Sequence, residues 1–148
     1  RNVSYLADDK SARFTLDIAG AYPPEANLLS WVRQITLTRG ENVELADSYE
    51  FRVAPRVLTL SLLTPCQVAT SIDGQVSLEA VSLPEGRSTA SGRIVYDPRQ
   101  FTVIAEEIPI HDANLSPVWG RRITRLVFTE IHPTEQGSWT MRIFGSMP

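Results

Sequence analysis

The stretch SWVRQITLTRGENVELADSYEF, residues 30–51, decides how the rest of the chain is read. Trp31, Ile35 and Leu37 fall on one face of an extended chain, with Thr36 and Thr38 on the other. After the polar break Arg39-Gly40-Glu41-Asn42 the alternation resumes. Tyr49, Phe51 and Val53 lie on one side, Glu50 and Arg52 on the other. Successive side chains of a strand point to opposite faces, so a period of two marks a half-buried β-strand. Two such runs flanking a Gly-containing turn predict an antiparallel pair, with strands near 31–38 and 43–54.

The same period extends both ways from this pair. Phe14, Leu16 and Ile18 alternate with Arg13, Thr15 and Asp17, and Leu58, Leu60 and Leu62 with Thr59 and Ser61. Val76, Leu78 and Ala80 follow, then Ile94 with Tyr96 and Phe101 with Val103. Leu126 with Phe128, and Trp139 with Met141 and Ile143, close the series. Turn chemistry separates the runs. Asp73-Gly74 is a two-residue hairpin signal, and Pro84-Glu85-Gly86, Asp97-Pro98 and Gln136-Gly137 read as further turns. Pro23 to Leu29 has some helical character, but Pro23-Pro24 favours a loop. The expected fold is all-β, an antiparallel β-sandwich of about ten short strands, with residues 1–148 forming one domain.

Composition fits this. A 16.5 kDa chain of 148 residues can bury about two-thirds of its extended surface, enough for a core without disulfide or metal staples. Hydrophobic residues at 43% and charged residues at 21% argue against disorder. No apolar run approaches the ~20 residues of a membrane span, and no signal-peptide pattern opens the sequence. The net charge of −3, with no basic stripe, argues against a nucleic-acid partner. Thirteen of the fourteen basic residues are Arg, Lys10 being the exception. Arginine's planar fork suits carboxylates and sulfates, although a GC-rich genome produces the same bias. Cys66 is alone, so no internal disulfide forms. The sequence starts at Arg1 rather than Met, and so reads as a piece of something longer.

The residues that usually carry chemistry form no catalytic constellation. His111, within Glu106-Glu107-Ile108-Pro109-Ile110-His111-Asp112, and His132 are too far apart in sequence for a tight pair. Zinc needs three or four ligands, so a surface loop is the better place for His111. Cys66 follows Pro65 at the end of an apolar strand and reads as a small buried hydrophobe. Neither a Gly-x-Ser-x-Gly elbow nor a phosphate-binding glycine loop occurs. Asp8-Asp9 and Glu106-Glu107 read as solvated charges. Asn2-Val3-Ser4 and Asn114-Leu115-Ser116 match the glycosylation triplet, which is common by chance. Trp31 and Trp139 lie on alternating apolar faces and belong in the core. Trp119, between Pro117 and Gly120, is the Trp placed for an exposed contact, and Arg121 and Arg122 follow it. These three are the candidate substrate-binding residues; no catalytic residue, metal ligand or cofactor is expected. Arg33 shares the face of Trp31 and Ile35, so it points inward or toward an interface. A buried Arg needs a partner, and Asp47 or Glu50 could serve, which favours a structural pair over a substrate contact.

Several stretches together resemble the C-terminal β region of heparinase II/III-like proteins. They are Ala21-Tyr22-Pro23-Pro24-Glu25-Ala26, Ser30 to Gly40, Asp47-Ser48-Tyr49-Glu50-Phe51, Leu60 to Cys66, and Val118-Trp119-Gly120 with Arg121 to Leu126. The resemblance covers roughly residues 3–144 and rests on strand and turn patterns. It implies a bacterial polysaccharide lyase, periplasmic or cytoplasmic, with a helical toroid followed by β-sandwich domains. Such enzymes cleave acidic polysaccharides by β-elimination. Their catalytic Tyr, His, and Asn or Arg come mainly from the toroid, with one further His from an upstream β segment. That segment's His-containing and Asp-Pro-Gly stretches have no counterpart here, so no catalytic residue or zinc ligand carries over. The resemblance therefore implies a C-terminal sandwich that supports the upstream domains of its parent, which would be its partners, without holding the chemistry itself. A freestanding carbohydrate-binding module, recognising acidic polysaccharide around Trp119, and a structural interaction module are the alternatives. Missing upstream strands would leave sheet edges and an apolar face open, which predicts self-association or a docking surface for the parent chain.

Overall fold

The computed structural model describes residues 3–146, so Asn2 of the first glycosylation triplet lies outside it. Eleven strands run through the described residues: β1 (Val3–Ala7), β2 (Ser11–Asp17), β3 (Leu28–Thr38), β4 (Asn42–Phe51), β5 (Thr59–Thr64), β6 (Gln67–Ile72), β7 (Gln75–Glu79), β8 (Gly92–Val95), β9 (Phe101–Pro109), β10 (Arg122–Glu130) and β11 (Gln136–Gly145). One short helix, α1 (Ser116–Trp119), interrupts them. The fold is an antiparallel β-sandwich, and the chain groups into two compact units.

The first unit holds residues up to Leu58 together with His132–Phe144. Its strands pair in the order β1-β2-β3-β4-β11. The β3–β4 pair is the one read from residues 30–51, turned by Gly40 at φ 79°. Trp31, Tyr49 and Phe51 are buried, as expected of core aromatics, and so are Leu45, Trp139 and Met141. Trp31 lies 5.8 Å from Tyr49, and Tyr49 lies 5.5 Å edge-on to Phe51, offset geometries that suit ring quadrupoles.

Three expectations need correction here. Ile35 and Leu37 share the face of Trp31, a half-buried strand's inner face, but they are 37% and 36% exposed. They sit on the right face, opposite Leu45 and Val43, where burial is only partial. Gln136-Gly137 is no turn. It opens β11, with Gly137 opposite Tyr49. A Cβ on Gly137 would lie 2.3 Å from the Tyr49 hydroxyl oxygen, so the glycine lets a buried ring reach the neighbouring backbone. The predicted strand to residue 54 stops at Phe51, leaving Val53 63% exposed. Within Pro23 to Leu29, Pro24–Ala26 makes a single 3₁₀ turn that ends at Asn27 with φ 54°, and β3 starts at Leu28.

Between β2 and β3 the chain is held by Asp17. Its Oδ1 accepts the Ala19 N–H at 2.9 Å and the Trp31 N–H at 3.4 Å. The first of these bonds holds the Asp17 carboxyl below its ordinary 3.8, because an ionised carboxylate is the better acceptor. Asp8 is lowered likewise by the Ser11 and Lys10 N–H groups. A carboxyl depressed in the folded state stabilises it above the unfolded pKa, and that stability is lost as pH falls through the folded pKa. Stability measured by denaturant titration should therefore begin to decline as pH drops below about 4. Asp17→Asn should reduce stability near neutral pH and flatten that acid dependence.

The second unit holds Thr59–Ile131 with the residues from Gly145 onward. It contains the strands β8-β7-β6 and the sheet β5-β10-β9. Asp73-Gly74 forms the β6–β7 hairpin turn as predicted, with Gly74 at φ 77°. Val76 and Ile94 come from the first set, and Leu60, Leu126 and Phe128 from the second; all are at most 6% exposed. The Tyr96 ring meets Phe128 edge-on at 5.3 Å. Cys66 is a buried free thiol, as its sequence context suggested.

Candidate functional site

Trp119, Arg121 and Arg122 lie in the second unit, the first two on the connection from β9 to β10 and Arg122 as the first residue of β10. Asp112 organises this connection. Its Oδ1 accepts the backbone N–H groups of Asn114 at 2.7 Å and Leu115 at 3.0 Å, and its carbonyl accepts that of Ser116. The resulting single turn, α1, stops at Gly120, whose φ of 83° permits the reversal into β10. The Arg87 guanidinium donates to the carbonyl of Pro117, tying α1 to the loop at Pro84–Gly86. Trp119 is 42% exposed, beside exposed Leu115 and Val118. The connection thus presents an apolar tip, and the Trp expected in a loop ends a turn of helix instead.

Arg121 and Arg122 are exposed. Backbone pairing holds this point, with the Ile110 N–H donating to the Arg121 carbonyl at 2.8 Å. Arg122 donates to the Glu107 carboxylate across β9–β10. Both side chains line an open groove of about 260 Å³, together with Gln67, Val68, Ala105 and Thr124. Trp119 is not among these lining residues. The three residues are neighbours in sequence, but the groove takes Arg122 alone. An anion entering it would have to displace Glu107 from Arg122. Glu107 and Thr124 are not legible as groove residues because the long connection between β9 and β10 leaves their register open, and Gln67 is not because it comes from a separate strand, β6.

Arg33 resolves differently. Its Nε lies 2.9 Å from Asp47 Oδ1 and its terminal nitrogen 2.6 Å from Oδ2. Asp47 Oδ2 also accepts the indole N–H of Trp31 at 2.7 Å. The Asp47 side chain is fully buried, and its hydrogen bond raises the Arg33 pKa further above the ordinary guanidinium value. Of the two carboxylates considered, Asp47 is the partner, because it stands directly opposite Arg33 in the β3–β4 register. The exposed Tyr22 ring stacks nearly parallel on Trp31 at 5.8 Å. This constellation locks the sheet.

His111 and His132 are exposed, and among the described residues no group of three or more His, Cys, Asp or Glu is placed to hold a metal ion.

No protein-family model matches the sequence, and no curated protein is detectably similar to it. Solved structures are similar. The whole chain superposes on part of the heparan sulfate lyase HepC from Pedobacter heparinus, with a TM-score of 0.66 and 12% identity. The chain has the fold of part of a heparan sulfate lyase. A mutant of the same enzyme gives a TM-score of 0.67, as does a heparinase III matched over 98% of this chain, both at 12% identity. The chain spans only about a fifth of their length, 22% for HepC and 21% for the heparinase III. The resemblance first drawn from strand and turn patterns therefore holds for the fold.

Proposed function

We propose that this chain is the non-catalytic C-terminal β-sandwich of a heparinase II/III-like polysaccharide lyase. In this reading it supports upstream domains that cleave an acidic polysaccharide by β-elimination. The observation that carries the reading is the match of 98–100% of the chain to about one-fifth of two such lyases. The state of its charges supports it. Elimination beside a uronate needs a base, a group that neutralises the carboxylate, and an acid for the leaving oxygen. Here the one enclosed cation among the described residues, Arg33, is held by the buried carboxylate of Asp47, which leaves it poorly placed to take up a substrate's.

Isothermal titration of the isolated chain with heparin, heparan sulfate and alginate oligosaccharides tests this against the freestanding-module reading. The expected result is no saturable heat. Saturable binding that weakens with added salt and is lost in Trp119→Ala or Arg122→Ala would instead make the chain a carbohydrate-binding module.

A further inference from the structure

We draw no further inference here: the strongest candidate, the open groove between β6 and the β9–β10 pair lined by Gln67, Glu107, Arg122 and Thr124, belongs to the site already described, and its cation and carboxylate are joined to each other, so that nothing in the structure selects a ligand for it.

Discussion

Asp47→Ala should lower the stability of the fold by about 4 kcal/mol, which for a chain of this length moves the melting temperature by roughly 10–15 °C. The substitution removes the acceptor of three side-chain hydrogen bonds, from Trp31 Nε1 and from two nitrogens of Arg33. Both donors stay where they are. The Trp31 ring is pinned by Tyr22, Tyr49 and Phe51, so its N–H is left buried and unpaired. Arg33 is only 24% exposed at its side chain; part of its charge can reach water, which keeps the cost below that of a fully enclosed cation. The opposite outcome is expected of a paired replacement at the same place. A buried ion pair replaced as a whole by apolar groups of similar volume is often neutral. Arg33→Met combined with Asp47→Leu should therefore recover most of the loss, less the hydrogen bond to Trp31. Thermal unfolding followed by circular dichroism measures all of these. If Asp47→Ala melts with the wild type, the pair does not lock the sheet, and a ligand-binding role for Arg33 returns.

Gly137→Ala should cost about 3 kcal/mol or more, although it adds a single methyl group. That methyl would sit 2.3 Å from Tyr49 Oη and 2.5 Å from Cζ, well inside van der Waals contact. A tyrosine ring is rigid, and this one is 4% exposed and wedged beside Trp31 and Phe51. It cannot swing aside, so β11 must lift from β4 or the aromatic cluster must open. Tyr49→Leu in the same chain removes the atoms that clash. The double variant should then lose less than the sum of its parts, with a coupling of about 1 kcal/mol or more. Additive losses in denaturant titrations would mean that the glycine is needed for its backbone freedom and not for the ring beside it.

The same glycine shows where a sequence stops being readable. Gln136-Gly137 looks like a turn because glycine usually punctuates strands. Its role here is contact with a ring 88 positions earlier in the chain, and no local pattern encodes that. Alternation, in contrast, is local, so the β3–β4 pair and the buried Trp31, Tyr49, Phe51 and Trp139 could be read directly. β1 is not legible, because Leu6 and Ala7 break the alternation that Val3, Ser4 and Tyr5 begin. Ile35 and Leu37 lie on the face that alternation gives them, yet they are over a third exposed. Periodicity says which side a residue points to but not whether anything lies opposite. Arg33 needed a carboxylate, and the hairpin register chose Asp47. For Trp119, Arg121 and Arg122, adjacency in sequence suggested one surface, while the groove recruits Arg122 with residues from β6 and β9.

The most direct test of the account is the formation of unsaturated uronate, followed by absorbance, when the isolated chain is incubated with heparin, heparan sulfate or alginate. No turnover is expected on any of the three. Sustained turnover that survives rigorous purification would contradict it, and would place the base and acid of an elimination on a sandwich argued here to be only its support.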